Sequence, residues 1–165
     1  MRILGIDPGT GILGFGVIDV VKGKAKLVDA GVIRTPAHED DVVRLQTTYD
    51  ELSDIITQTK PTHMAVEKLF FGRNVTTAIS VGQARGSILL AAALAGLDVI
   101  EYTPAEIKQA ISGYGNADKE QVQEMVRQLL GLEEAPQPDD AADGVAIAIC
   151  HLQAARYRRW ESGHS

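Results

Sequence analysis

The stretch Arg2-Ile-Leu-Gly-Ile-Asp7-Pro-Gly-Thr10 is an apolar run that ends in a carboxylate and is then broken by proline and glycine. This pattern predicts a short buried strand whose last residue, Asp7, projects from the carboxyl edge of a sheet. Ligand sites of open α/β sheets lie at that edge, which makes Asp7 a candidate site residue. Asp7 is equally well explained as a favourable turn residue before Pro8 and Gly9, and this stretch alone favours neither reading.

The rest of the chain predicts an α/β fold around this strand. Three strands joined by tight turns should be antiparallel neighbours, and a helix before the fourth strand should make that strand parallel to its neighbour. We therefore expect a mixed five-stranded sheet with helices on both faces. The predicted strands cover residues 2–7, 11–21, 25–34, 62–67 and 98–102, and the predicted helices cover residues 41–58, 75–95, 104–111, 119–130 and 139–157.

Length and composition indicate one soluble domain. A chain of 165 residues accommodates a single sizeable core, which we place in residues 1–158, with a disordered tail at 159–165. The one cysteine, Cys150, rules out a disulfide within the chain and suits a reducing cytoplasm. The longest uncharged apolar run, 88–97, is too short to span a bilayer, so we expect no membrane association. The net charge of −6 argues mildly against nucleic acid, but its uneven distribution leaves the partner open.

Three further acids can be brought to Asp7. Glu67 ends the fourth predicted strand, and Asp140 and Asp143 are three residues apart in the first turn of the last predicted helix. Taken singly, Glu67 is explained as a solvated strand end, and the two aspartates as groups that favour the positive end of the helix dipole. Their convergence favours a metal site for Mg²⁺ or Mn²⁺, with two ions about 3.5–4 Å apart acting on a phosphodiester.

Several motifs, in this order along nearly the whole chain, resemble the RuvC family of Holliday junction resolvases. They are Gly5-Ile-Asp-Pro-Gly9, Gly14-Phe-Gly-Val17, Ala65-Val-Glu-Lys-Leu-Phe70, Gly82-Gln-Ala-Arg-Gly86, Lys108-Gln109, Lys119-Glu-Gln-Val-Gln123-Glu-Met-Val126 and Asp140-Ala-Ala-Asp143-Gly-Val-Ala-Ile-Ala148. Each motif is weak alone, but the ordered set is highly specific.

The resemblance implies a ribonuclease H-like fold and a dimeric, metal-dependent endonuclease that nicks two opposing strands of a four-way DNA junction. The catalytic and metal-binding residues that it implies are Asp7, Glu67, Asp140 and Asp143. The implied products carry a 5′-phosphate and a 3′-hydroxyl. The implied partners are the junction, a second copy of the chain, and a branch-migration complex of the RuvA and RuvB type.

The resemblance also assigns DNA contacts. Lys108 and Lys119 match family lysines near the scissile phosphate, although either is explained as an ordinary solvated helix residue. Phe70 matches an aromatic that meets bases at the junction, and we expect one of Phe70 and Phe71 to be exposed for stacking. Arg73 and Asn74, on the same loop, are expected to contact phosphates.

The small residues Ala78, Gly82 and Gly86 stand four apart along the long predicted helix and give it a smooth face. Apolar residues on its other sides suggest burial from several directions. Burial within the domain and a homodimer contact are both open at this stage. Because one chain has one acid cluster and a junction needs two matched cuts, we expect a homodimer.

Three other functions remain as alternatives. The stretch from Gly5 to Thr10 also resembles the phosphate loop of actin-like ATPases, but a chain of this length has room for only one half of such a protein. A non-catalytic junction-binding module would not need four convergent acids. A ribonuclease with the same fold would be distinguished by its preference for RNA–DNA hybrids over junctions.

Overall fold

The structure, a computed structural model, describes residues 1–69 and 74–163. The strands are β1 (Arg2–Asp7), β2 (Ile12–Val21), β3 (Lys24–Arg34), β4 (His63–Glu67) and β5 (Val99–Tyr102). The helices are α1 (Asp41–Thr59), α2 (Val75–Leu94), α3 (Pro104–Ser112), α4 (Lys119–Leu130) and α5 (Asp139–Ser162). All ten predicted elements are present in the predicted order.

The five strands form one mixed sheet in the order β3-β2-β1-β4-β5. Strands β1, β2 and β3 are antiparallel neighbours, because two residues with positive φ, Lys22 and Gly23, allow a tight turn between β2 and β3. Strand β4 is parallel to both β1 and β5, because helices α1 and α2 return the chain to the starting edge of the sheet. The predicted topology is therefore confirmed.

Helices cover both faces of the sheet, as predicted. Alternate residues of the central strands point to opposite faces, so the sheet separates two apolar clusters. The cluster beneath α1 and α2 includes Leu4, Ile6, Val17, Leu52, Met64 and Ile88. The cluster beneath α3, α4 and α5 includes Ile3, Ile18, Ala65, Ile107, Val126 and Ile147.

Helix α5 lies directly on the backbone of the β1–β2 hairpin. A Cβ atom at Gly14 would be 1.9 Å from the carbonyl oxygen of Asp140, and one at Gly5 would be 2.1 Å from the carbonyl oxygen of Gly144. Real Cβ atoms essentially never approach another heavy atom so closely. Only glycine at these positions allows the helix and the hairpin to pack at this distance.

The end of the last helix differs from the prediction. We expected the helix to stop at Tyr157, but α5 continues to Ser162 and ends at Gly163. Residues 156–162 contain no glycine or proline and include three arginines, which are good helix formers, so nothing local stops the helix earlier. Residues 159–162, which we expected in a disordered tail, are therefore helical.

Within a single chain, helix α2 is buried on one side only, so burial from several directions within the domain is not found and the homodimer contact stays open. Only Ile88, Ala91 and Ala92 of this helix are buried, and an outer face that includes Val75, Ile79, Gly82, Gly86, Leu90 and Leu94 is exposed. Among the described residues, α2 is the one helix that is long and apolar enough to cross a membrane by length and composition. Length and composition are weak evidence for a membrane span, because α2 packs on α1 and its Arg85 forms an ion pair with Glu101 of β5 (Nε–Oε1 2.8 Å). The absence of membrane association stays a prediction.

The packing of α5 on the hairpin gives a first testable prediction. Gly14→Ala should lower the free energy of unfolding by about 2–3 kcal/mol, because the added methyl group forces the helix and the hairpin apart. Gly11→Ala is the matched control, since its Cβ would lie 3.7 Å from the nearest atom, an ordinary contact. Urea denaturation followed by circular dichroism measures both. Equal stabilities of the two variants would contradict the proposed close packing.

Candidate active site

Two strands and one helix bring the four acids to the carboxyl edge of the sheet. Asp7 ends β1 and Glu67 ends the adjacent parallel strand β4, as predicted. Asp140 and Asp143 lie in the first turns of α5. The close contact of Asp140 with Gly14, which pairs with Asp7 across the hairpin, places this end of α5 beside Asp7.

Three of these acids can share a metal ion. One carboxylate oxygen from each of Asp7, Asp140 and Asp143 lies within 4.8 Å of the other two, and all three residues are partly buried. Glu67 is outside this group of three, but it lines the same cleft as Asp7 and Asp143 and is close enough to raise the pKa of Asp7. The structure therefore brings all four acids to one place, with Glu67 at the side of Asp7.

Burial and mutual repulsion perturb the acids. Burial raises the pKa of Asp7 well above its usual range, and the hydrogen bond and negative charge of Glu67 add to this, followed by the charges of Asp143 and Asp140. Burial also raises the pKa of Asp143, although the adjacent Lys119 opposes the effect. A divalent cation would relieve this repulsion, and carboxylate oxygens are the ligands that Mg²⁺ and Mn²⁺ prefer. The donor set therefore fits such an ion.

Lys119 is held beside the acids by the start of α4. Its Nζ atom is 3.6 Å from Oδ2 of Asp143 and 3.6 Å from Oδ2 of Asp139. Burial alone would lower the pKa of Lys119, but the charges of Asp143, Asp139 and Asp140 outweigh it and raise the pKa. Asp139 is outside the group of three acids, and its side chain is 51% exposed, against 27% for Asp143.

A cleft of about 300 Å³ joins the two predicted lysines to the acids. Asp7, Glu67 and Asp143 line it from the sheet and from α5, while Lys108 of α3 and Lys119 of α4 line it from the other side. The start of α3 is fixed by a capping box between Thr103 and Glu106, which places Lys108 one turn further on. The structure thus brings both lysines to the acids.

The predicted contacts of the loop before α2 are only partly described. Phe70, Phe71 and Arg73 lie outside the described residues. Asn74 is the N-cap of α2, where its Oδ1 atom accepts hydrogen bonds from the backbone N–H groups of Thr76 (3.1 Å) and Thr77 (3.4 Å). The side-chain Oδ1 atom of Asn74 therefore has a structural role in capping α2, and a phosphate contact of Asn74 stays a prediction.

Arg44 supports the candidate site but was not predicted. Its Nη2 atom donates a hydrogen bond to the carbonyl oxygen of Thr10, in the loop that follows Asp7. The side chain is only 17% exposed although it is on the first turns of α1. Nothing in the sequence distinguishes this arginine from a solvated residue on the polar side of an amphipathic helix.

Comparison with known proteins identifies close relatives. A family model described as crossover junction endodeoxyribonuclease RuvC matches residues 3–151. A protein of that name from Heliobacterium modesticaldum is 60% identical over 150 residues, which cover 91% of this chain and 93% of the relative. The solved structure of Thermus thermophilus RuvC is 42% identical, covers 95% of this chain and 96% of its own, and has a TM-score of 0.87. The T. thermophilus protein in complex with a Holliday junction substrate is 40% identical with the same coverage and has a TM-score of 0.89.

The electrostatics of the acids give a second prediction. Without metal, Asp7→Asn should stabilise the fold by about 1–2 kcal/mol at pH 7.5, or roughly 3–6 °C in Tm. The reason is that a buried carboxyl group with a raised pKa costs free energy at this pH, whereas a neutral amide does not. The folded state raises the pKa of Asp7, so its stabilising contribution is complete at low pH and is lost as the pH rises. The gain from Asp7→Asn should therefore be absent near pH 4 and increase toward pH 8, as measured by differential scanning fluorimetry.

The same variant should respond less to metal. A Mn²⁺ concentration that is about a hundredfold above Kd stabilises a binding-competent fold by about 2.7 kcal/mol, so the Tm of the wild-type protein should rise on titration. Asp7→Asn should lose most of this rise, whereas the control Asp139→Asn should keep it. A Tm rise that is unchanged in Asp7→Asn would remove Asp7 from the set of metal ligands.

Proposed function

We propose a function for this chain from the premise that it belongs to the crossover junction endodeoxyribonuclease RuvC family, as the match over residues 3–151 and a relative at 60% identity show. It is a metal-dependent endonuclease of the ribonuclease H-like fold that resolves four-way DNA junctions by paired nicks. The structural observation that carries the proposal is the group of carboxylates from Asp7, Asp140 and Asp143 at the edge of the sheet, which shares one cleft with two lysines.

The residues of the cleft suit phosphodiester hydrolysis. We propose Asp7, Glu67, Asp140 and Asp143 as the catalytic metal ligands, with two Mg²⁺ or Mn²⁺ ions for each site. Bound ions would supply an activated water and would neutralise charge on the leaving 3′ oxygen. Lys119 and Lys108 hold the scissile phosphate and offset the negative charge that develops in the transition state. Lys119 is already poised for this by its position 3.6 Å from Asp143.

The exposed face of α2 supports a homodimer. Ile79, Leu90 and Leu94 are exposed on the same side of this helix as Gly82 and Gly86. Neither glycine has an atom within 4 Å of its Cβ position, so the face is smooth and allows close approach of another helix. A four-way junction is nearly two-fold symmetric, and two copies joined through this face would supply two acid clusters for two cuts.

Family membership supports the remaining parts of the proposal. Residues 1–158 form the nuclease domain, and Phe70, Arg73 and Asn74 contact the junction. The enzyme acts in the cytoplasm together with a branch-migration complex of the RuvA and RuvB type. The products carry a 5′-phosphate and a 3′-hydroxyl, which a ligase can seal.

Cleavage assays provide the direct test of the function. The wild-type protein with Mg²⁺ or Mn²⁺ should nick a synthetic four-way junction symmetrically and should leave linear duplex DNA and RNA–DNA hybrids largely intact. Asp143→Asn should slow cleavage by about a thousandfold or more, since an amide cannot supply the ligand charge, while junction binding stays within a few-fold. Asp139→Asn, the neighbouring acid that also contacts Lys119, should cut nearly normally. Preferential cutting of RNA–DNA hybrids would instead assign a ribonuclease.

Assembly gives a further prediction. Gly82→Arg and Gly86→Arg should each produce a folded monomer, because both positions are open in the structure of one chain. Light scattering should show a dimer for the wild-type protein at micromolar concentration and a monomer for the variants, with unchanged circular dichroism. Lys60→Arg is a matched surface control away from α2. A wild-type protein that stays monomeric yet makes paired cuts would contradict the proposed dimer.

A further inference from the structure

A positively charged surface lies at the end of the sheet opposite the acid cluster. It is formed by the β2–β3 turn, Lys22-Gly23-Lys24, and the last turns of α5, from Arg156 onward. The two segments are joined by a hydrogen bond from Arg156 Nη2 to the carbonyl oxygen of Gly23. We call this region, defined by Lys22, Lys24, Arg156 and Arg159, the basic patch.

The basic patch concentrates positive charge in an acidic protein. The chain has a net charge of −6, yet all four residues of the patch are exposed. Within the described residues, none of the four is in an ion pair, whereas Arg2, Arg85 and Lys119 all have acidic partners within 4.0 Å. Their charges are therefore available to a ligand.

Two hollows flank Arg156, of which the smaller is mainly apolar and the larger combines polar and apolar side chains. The larger, of about 440 Å³, lies between the hairpin turn, the end of α4 and α5, and its apolar lining includes Leu129, Leu130 and Ile149. The smaller, of about 330 Å³, is lined by Met1 and Val20 together with Lys22 and Arg159. Leu152 lines both hollows. Each hollow thus offers apolar side chains beside positively charged ones.

Two exposed aromatic residues extend the patch along α5. Tyr157 is 61% exposed and Trp160 is 59% exposed, and their ring centroids are 6.2 Å apart. Tyrosine, tryptophan and arginine are the residues most enriched at the energetic centres of protein–protein interfaces. Their combination with two hollows that offer apolar side chains is unlike a phosphate-binding surface, which needs charge but no apolar pockets.

The position of the patch also argues for a protein ligand. Asp140 and Arg156 are separated by 16 residues of one continuous helix, which places them roughly 24 Å apart along its axis. The patch therefore lies at the other end of α5 from the acid cluster, so a ligand there does not need to displace a phosphodiester from the acids.

We propose that the basic patch is a docking surface for an acidic segment of another protein, whose bulky apolar side chains occupy the two hollows while its carboxylates contact Lys22, Lys24, Arg156 and Arg159. The site is separate from the catalytic cleft and does not depend on cleavage. It would attach the enzyme to a protein partner without competing with DNA at the acids.

Peptide selection tests this chemistry without a known partner. A phage-displayed library of random 12-residue peptides is selected on the full-length wild-type protein and counter-selected on Lys22→Glu/Arg159→Glu, which spares the Arg156 hydrogen bond. The recovered peptides should be enriched in Asp and Glu together with Leu, Ile and Phe. Because Trp160 is the one tryptophan of the chain, its fluorescence reports binding at the patch directly when tryptophan-free peptides are titrated.

The charge-reversed variant should bind these peptides at least tenfold more weakly, whereas Lys60→Glu, an exposed reversal elsewhere, should bind them normally. Circular dichroism and four-way junction cleavage should be unchanged in both variants, which separates this test from that of the catalytic function. Recovered peptides without acidic enrichment, or binding that ignores the charge reversal, would overturn the proposal. If a 20-base-pair duplex alters Trp160 fluorescence at a lower concentration than the peptides do, the ligand is DNA and the proposal is overturned. If the protein self-associates through Lys22 and Arg159, the ligand is a second copy of the chain and the proposal is likewise overturned.

Discussion

The direct contact between the backbone of α5 and the β1–β2 hairpin is the constraint on which the candidate site depends. An ordinary helix packs on a sheet through the side chains that lie between the two backbones. Here glycines at positions 5, 14 and 144 remove the intervening Cβ atoms, so the first turns of α5 reach the strand ends themselves. Asp140 and Asp143 can then meet Asp7 although more than 130 residues separate them in the chain. The chemistry of the site is thus set by missing side chains as much as by the acids that are present.

Local signals in the sequence were sufficient to predict the elements, and the order of strands and helices then predicted the sheet topology. The meeting of the acids was predicted from their places at strand and helix ends and from the resemblance to the RuvC family. Strand ends at Asp7 and Glu67 are marked by apolar runs, and capping residues such as Asp118 mark helix starts. The late end of α5 was missed although no glycine or proline stops the helix earlier. The sequence left open whether α2 is buried within its own domain, because burial of an apolar helix depends on which elements lie against it. The contact of Arg44 with Thr10 was missed for the same reason, since it joins residues 34 apart through the folded chain.

The four acids serve the proposed function but lower the stability of the metal-free fold. Burial and like charge raise the pKa of both Asp7 and Asp143, and for Asp7 the shift is large enough that the metal-free carboxyl group resists ionisation near neutral pH. Lys119 offsets part of this repulsion through Asp143 and Asp139, and a bound cation would offset more. Such a site remains folded only because the two apolar clusters on the sheet faces supply the stability that the edge does not.

Helix α2 connects the proposed dimer face to the catalytic edge through the interior of each subunit. Its N-terminus is at the catalytic edge, capped by Asn74, and its middle is tied to β5 by the ion pair of Arg85 with Glu101. On its inner side it packs on α1, where the Ser87 hydroxyl donates to the carbonyl oxygen of Leu45, next to Arg44. Since Arg44 holds the loop after Asp7, a fixed α2 also fixes the acid cluster relative to the exposed face. In the proposed dimer, the spacing between two acid clusters would therefore be set by rigid packing within each subunit and by one helix–helix contact between them.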